Sequence, residues 1–337
     1  EVDGRYLIQN PPSRYLEESE MDKIASYPYQ RDLHPYHAKD GKVKALETIK
    51  FSIMTHHGCW GECNYCAIAA HQGRTIRTRS EQNILSEAKH FTTLKDFKGI
   101  ISDVGGPTAN MYGYECKKKM NLGTCIDNKR CVDAHRLCRT MKVDHSRNIK
   151  LLKDIRAIPK VKKAFIASGI RYDFIAADKN HGKEYLKEII DHHISGQMKI
   201  APEHTSDEVL HHMGKPGKQS LIEFKKMFDD LNKESGKKQF LTYYLIAAHP
   251  GCKESHMHEL KQFTTHELKI NPEQAQVFTP TPGTYSAVMY YTELDPFTKK
   301  KIFVEKDTLR KERQKEIVVA KKSFCKTKQN STSGMQG

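Results

Sequence analysis

Apolar positions along the chain follow two rhythms, a period of two in short runs and helical spacing in longer ones. Ile49, Phe51 and Ile53 alternate with Lys50, Ser52 and Met54, which predicts a strand. Ser80 then stands as an N-cap ahead of Ile84, Leu85, Ala88 and Phe91, predicting a helix. The same alternation continues, with strands expected over 99–104, 161–168, 197–201, 240–247 and 275–279. Helices are expected over 148–158, 183–193, 206–213, 220–232 and 253–268. Six strands alternating with helices imply parallel pairing through right-handed crossovers, in a partial (β/α)6 barrel or a doubly wound sheet. Either architecture places chemistry at the carboxyl ends of its strands, here the loops after Met54, Val104, Ser168, Ala201 and Ala247.

Outside this α/β region the pattern fades. Residues 1–48 are polar and broken by Pro11, Pro12, Pro28 and Pro35, and are expected to form an irregular lead-in to a barrel over 49–296. A charged insertion, 114–145, interrupts the barrel, and 297–337 form a basic extension, truncated and partly disordered, with a low-complexity end from 330. The start at Glu1 reads like the middle of a longer protein, so an upstream portion is expected. No apolar run of about 18 residues and no leader pattern occurs, which points to a cytoplasmic protein with no membrane partner. The 56 Lys and Arg exceed the 41 Asp and Glu, a surplus of +15 that gives weak support to a nucleic-acid partner. Nine cysteines, odd in number and clustered, fit metal ligation better than a disulfide framework.

The chemistry concentrates at 56–66, where His56-His57-Gly58 lead into Cys59, Cys63 and Cys66. Three thiolates at spacings of three and two intervening residues, on a loop after a strand, can hold three corners of a [4Fe-4S] cluster. The fourth iron then stays open to a small molecule. The competing assignment is a zinc knuckle completed by a histidine such as His71. His56 and His57 adjoin the loop and are candidates to hydrogen-bond a sulfur or line the pocket. Downstream strand ends carry further candidates: Gly105, Gly106, Pro107 and Thr108, then Ser168 and Arg171, then Glu203 and His204, then His249. Glycines allow close backbone approach to a ligand, and ionisable groups at a strand's carboxyl end suit a site.

The Cys-x3-Cys-x2-Cys spacing, with aromatic Tyr65 before the last cysteine, resembles the radical S-adenosylmethionine superfamily. Gly105 to Asn110, Ala167 to Asp173, Ala201 to His204 and Met289 to Thr292 look like the YgiQ family within it, over about 31–296. The resemblance implies a partial (β/α)6 barrel of radical S-adenosylmethionine type. It further implies a [4Fe-4S] cluster on Cys59, Cys63 and Cys66, bound S-adenosylmethionine, and cleavage to a 5'-deoxyadenosyl radical acting on an unidentified substrate. An electron donor such as flavodoxin or ferredoxin is implied as partner. By the same resemblance Tyr65 lies against the adenine, and Gly105 and Gly106 face the methionine amino group. Pro107 stands where the superfamily has an acidic residue.

Cys116, Cys125, Cys131 and Cys138, all in the insertion, form a possible second metal site, whereas Cys252 and Cys325 are isolated. The pairs His192-His193 and His211-His212 are expected at helix surfaces or ends, because neighbours on a helix diverge by about 100°. Two further functions remain: a non-catalytic iron-sulfur or zinc-binding protein, and an RNA- or protein-modifying enzyme of the methylthiotransferase kind.

Overall fold

A computed structural model describes residues 3–319 apart from 7, 9, 11, 12, 123, 124, 126–130 and 133–136. Cys325, Lys129, Arg130, Pro11, Pro12 and the low-complexity end lie outside the described residues. The alternating pattern becomes a curved parallel sheet in sequence order. Strand β1 (Ser52–Met54) leads into a short antiparallel pair, β2 (His56–His57) and β3 (Arg77–Thr78). Strands β4 (Ile100–Ile101) and β5 (Asp103–Gly105) form one broken strand around Ser102, whose N–H donates to Phe51 O at 2.9 Å. β5 pairs with β1, and β4 pairs with β6 (Lys163–Ala164), both in parallel. The strand run continues past β6 to Ile170, which bridges in parallel to Ile200 of β7 (Gln197–Glu203). β7 pairs with β8 (Phe240–Ala247), and β8 with β9 (Gln276–Val277), again in parallel. Among the described residues no pairing joins β9 back to β1, so the barrel is partial, as the sequence predicted.

Helices cover the outer face through their apolar stripes. Ile84, Ala88 and Phe91 of Glu81–Phe91 enter a core with Ile53, Ile101 and Val104. Ser80 caps this helix as expected, its Oγ accepting from Asn83 N at 3.1 Å. Leu221, Phe224, Phe228 and Leu231 of Lys218–Glu234 recur every three or four residues and complete the same core. A second core forms under β8 and β9, where Val209, Leu245, Met257 and Phe278 meet Val318.

Several boundaries depart from expectation. Ile49 ends a helix, Lys44–Ile49, and is exposed, so the first strand begins only at Ser52. The lead-in holds the helix Glu18–Ala25, stabilised by a capping box between Glu17 and Glu20. The basic extension contributes the helix Thr308–Val318, with Val318 buried in the second core and Gln314 buried against Cys252. His193 is buried, its Nδ1 on Ala164 O at 2.6 Å, because the chain widens over Ile189–His193 and turns that ring inward. His212 is half-buried against Gly251, whereas His211 is exposed as expected. No helix among the described residues is long and apolar enough to cross a membrane.

Candidate metal and cofactor site

The pairing of β2 with β3 pinches the chain between His57 and Arg77, so the cysteine loop projects from the carboxyl end of β1 on a closed base. Gly58, at φ +84°, lies where a Cβ would sit 2.3 Å from Thr75 O, which fixes glycine at the turn into Cys59. Cys59 N donates to Gly73 O at 3.2 Å, and Cys66 N to Cys63 O at 3.0 Å. The far side of the loop is held by Asn64, whose N–H reaches Met213 O at 2.8 Å while its carbonyl accepts from Ser286 N at 2.8 Å. These bonds join the loop to both ends of the sheet.

The surroundings of the three sulfurs are polar and buried. Cys59 Sγ lies 3.4 Å from Thr108 Oγ1 and accepts from Gly61 N at 3.3 Å. Arg171 Nη1 donates to Cys63 Sγ at 3.7 Å, while Nε and Nη2 grip Asp173 at 2.7 and 2.6 Å. Burial opposes charge on both members of this pair, yet each ion outweighs it, holding Arg171 well above its ordinary pKa and Asp173 below. Tyr65 O–H donates to Glu203 Oε1 at 2.9 Å. Burial, with the charges of Cys63 and Glu203 added, raises Tyr65 far above 10, and burial likewise raises Glu203. Burial pushes the Cys59 thiol up and Cys66 up to about 11. As free thiols they hold their protons at neutral pH, and a metal must displace them to bind.

The donor set fits an iron-sulfur cluster. One loop presents three sulfurs, with a buried guanidinium and a backbone N–H aimed at two of them. Among the described residues no three Cys, His, Asp or Glu side chains converge tightly enough to hold a single metal ion. His71, the proposed fourth ligand of a zinc knuckle, is exposed at the end of Ile68–His71.

Other candidates fall into two groups. Thr108, Arg171, Tyr65 and Glu203 meet around the loop, as the contacts above show. Gly105, Ser168, His204 and His249 are committed to local structure. Gly105 O accepts from both Thr55 N, at 2.7 Å, and Thr55 Oγ1, at 3.0 Å, which uses both lone pairs of the carbonyl expected to face an amino group. A Cβ on Gly105 would lie 2.7 Å from Ser168 Oγ, and one on Gly106 2.6 Å from the His56 ring, so these glycines permit packing. Pro107 follows this turn, half-buried. Ser168 Oγ donates to Asp103. His204 Nδ1 accepts from Thr205 N and Ser206 N, both at 2.9 Å. His249 binds Ser286 Oγ at 2.6 Å and Pro250 O at 2.8 Å, with Tyr65 edge-on 6.2 Å away. His56 Nδ1 lies 2.9 Å from Thr55 Oγ1, so its contact is with the residue after β1 rather than a sulfur. His57 turns outward into a cavity of about 320 Å³ beside Met54, Arg79 and Glu87.

The hydrophobic pattern gave no sign of Lys215, which is 1 % exposed, or of Asp173 as the partner of Arg171. Lys215 Nζ donates to Ala201 O and faces Glu203, Asp173 and Cys66 electrostatically. Gly214 at φ +67° ends the preceding helix and turns the lysine inward. Only the Gly-Lys-Pro sequence marks this turn.

The insertion packs on the cysteine loop. Trp60, fully buried, donates from Nε1 to Glu115 Oε2 at 2.7 Å and lies edge-on to Tyr114, with ring centroids 4.7 Å apart. It forms a small core with Met111, Cys116, Cys131, Val132 and Phe174. Cys252 is buried against Met257, consistent with an isolated thiol.

A family model described as Radical SAM superfamily matches residues 53–264, and one described as Radical SAM N-terminal matches residues 1–52. A UPF0313 protein of Fusobacterium nucleatum is 60% identical over 320 residues, covering 95% of this chain and 56% of that protein. A UPF0313 protein of Clostridium botulinum is 47% identical over 314 residues, covering 93% and 48%. The chain thus spans about half the length of these curated relatives. Among solved structures, the radical S-adenosylmethionine methyltransferase TsrM from Kitasatospora setae, with cobalamin and a [4Fe-4S] cluster bound, aligns at TM-score 0.46 and 12% identity. That alignment covers 75% of this chain and 42% of TsrM. The cobalamin-dependent S-adenosylmethionine radical enzyme OxsB aligns at 0.43 and 14%, covering 72% and 29%.

Proposed function

Because the chain belongs to the radical S-adenosylmethionine superfamily and, within it, to the UPF0313 (YgiQ) family, we propose that Cys59, Cys63 and Cys66 hold a [4Fe-4S] cluster that reductively cleaves S-adenosylmethionine. When bound, the cluster supplies one electron to the sulfonium, giving methionine and a 5'-deoxyadenosyl radical that abstracts hydrogen from a substrate. The electron comes from a one-electron donor of the flavodoxin or ferredoxin class. The observation that carries this proposal is the buried Arg171 guanidinium, which donates to Cys63 Sγ while held by Asp173. A buried N–H donor so placed can hydrogen-bond a cluster-ligating sulfur and fix its orientation.

The other residues act around that centre. Thr108 and the Gly61 N–H bond Cys59 and orient its sulfur. Tyr65 shields the loop and is held in place by Glu203. Glu203 sits at φ +68° because Pro202, which has no N–H, breaks the β7 ladder and shifts the register between Ile200 and Glu203. This bulge aims the carboxylate at the site and leaves Glu203 as a group to receive the methionine ammonium, in place of the acidic residue replaced by Pro107.

The test is anaerobic reconstitution followed by reduction. The protein is expected to bind about four irons, to show an electron paramagnetic resonance signal altered by S-adenosylmethionine, and to release 5'-deoxyadenosine. Cys63→Ala is expected to lose all three properties. An intact reduced cluster whose spectrum ignores S-adenosylmethionine, with no nucleoside product, would overturn the proposal.

A further inference from the structure

We infer that the insertion carries its own thiolate-ligated metal centre, on Cys116, Cys131 and Cys138 with Cys125 as fourth ligand, seated against the cysteine loop of the barrel. Val132 and Leu137 form an antiparallel bridge, and Cys138 N donates to Cys131 O at 2.8 Å. Cys131 and Cys138 are therefore the next cross-strand pair. Such pairs carry their side chains on one face with Cβ atoms about 4.5–5.5 Å apart. Cys116 joins them, because its Sγ lies 3.4 Å from Thr140 Oγ1 and Cys138 Sγ lies 3.3 Å from the same oxygen. Cys125, nine positions after Cys116 in the same insertion, supplies the fourth thiol.

A buried ion pair stands beside these sulfurs: Lys119 is only 3 % exposed, pairs with Glu115 Oε1 at 3.6 Å and donates to Arg74 O. As protonated thiols the sulfurs spread around Thr140 and Lys119 and do not converge on one point. Thiolates drawn by a thiophilic cation close upon it. The insertion is rich in charged residues, and among its described residues the buried apolar side chains share a core with Trp60 and Phe174 of the barrel. Metal binding supplies ordering free energy in such segments.

The centre adjoins the first loop directly. Cys131 N donates to Glu62 Oε2 at 3.3 Å, and Glu62 Oε1 pairs with Arg74 at 2.6 Å, so one carboxylate between Cys59 and Cys63 is held by the insertion. This inference does not depend on S-adenosylmethionine cleavage.

Iron, zinc and acid-labile sulfide are measured per chain in the anaerobically prepared protein, in Cys63→Ala and in Cys131→Ser/Cys138→Ser. The parent is expected to carry, beyond the roughly four irons of the barrel loop, either one equivalent of zinc or a second cluster's worth of iron and sulfide. The excess metal identifies the centre. Cys63→Ala is expected to retain this excess, and the double variant to lose it alone. A parent with no metal beyond the first cluster, or a metal-free Cys63→Ala protein, overturns the inference. Should the double variant fail to fold, cobalt(II) titration of Cys63→Ala decides: one equivalent with an intense thiolate-to-cobalt absorption supports the site, and its absence refutes it.

Discussion

Replacing Arg171 with Met removes the guanidinium while keeping much of its apolar volume. The side chains of Arg171 and Asp173 are 7% and 10% exposed, so solvent screens little of their interaction, and two hydrogen bonds of 2.7 and 2.6 Å make it bidentate. The single substitution leaves Asp173 as a buried charge with its main partner gone. Breaking a buried pair in this way costs about 3–5 kcal/mol. Removing both charges, in Arg171→Met/Asp173→Asn, costs far less, because replacing a whole buried pair is close to neutral. The expected result is therefore strong non-additivity: a large fall in anaerobic urea stability for the single variant and recovery of most of it in the double. The first cluster reports the second role of the arginine. Both variants lose the donor to Cys63 Sγ, so both are expected to shed iron to a chelator faster than the parent, and stability recovery in the double variant does not restore retention. A loss below about 1 kcal/mol in Arg171→Met, or parent-like iron retention in the double variant, would refute the assignment of this pair as both buried and directed at the cluster.

Two further outcomes follow from the same geometry. Gly61→Ala places a Cβ 2.7 Å from Arg171 Nη1 and 3.3 Å from Cys59 Sγ; the overpacking is expected to cost about 1–3 kcal/mol and to lower iron loading, and parent-like loading would show that the arginine moves aside freely. Burial holds His204 and His249 at about 3 from an ordinary 6.5, so below pH 6.5 the unfolded chain takes up protons that the folded chain refuses, and stability falls as pH drops toward 3. At pH 5 this is worth about 2 kcal/mol for each ring, and His204→Asn, which keeps an acceptor for Thr205 and Ser206 N–H, is expected to flatten the slope of melting temperature between pH 7 and 5; an unchanged slope would refute burial of a neutral His204.

The alternation of strand and helix was legible because each element buries one face, and burial writes its period into the sequence. The strands β7 and β8, with Met198, Ile200, Leu245 and Ile246 buried, carried that signal clearly. Boundaries were less legible. Ile49 continues the period of two by coincidence and belongs to a helix end, and Glu203 extends β7 past Pro202 through a bulge that no alternation predicts. The three cysteines stand out by their spacing alone. Their polar surroundings were not, because Lys215 and Asp173 are buried ions, and nothing in composition separates a buried ion from a solvated one. Of the residues marked at strand ends, Thr108, Arg171 and Glu203 reach the loop, Glu203 through Tyr65, whereas Ser168, His204 and His249 satisfy nearby backbone or side-chain groups. A strand end places polar residues near one another, and the choice between ligand and scaffold rests on hydrogen bonds that only the fold supplies.

Those buried ions have a collective consequence. Arg171 and Lys215 stand against Asp173 and Glu203, two cations against two anions, within the ring of residues facing the cysteine loop. With neutral thiols the pocket is balanced. Once a [4Fe-4S] core displaces the thiol protons, three thiolates exceed the positive charge of the core, and the net negative charge lies in a low-dielectric space where the protein's own cations are already committed. The remaining attraction then falls on any cation that enters, and S-adenosylmethionine carries two, a sulfonium and an ammonium. Under the proposed function Glu203, at the bulge and bonded to Tyr65, would meet the ammonium, and the sulfonium would be left for the cluster. On that proposal, binding of S-adenosylmethionine and loading of iron would be coupled through charge, each favouring the other, and the affinity of the protein for S-adenosylmethionine is expected to drop when Cys63→Ala removes the cluster, although none of the residues that contact Glu203 has changed.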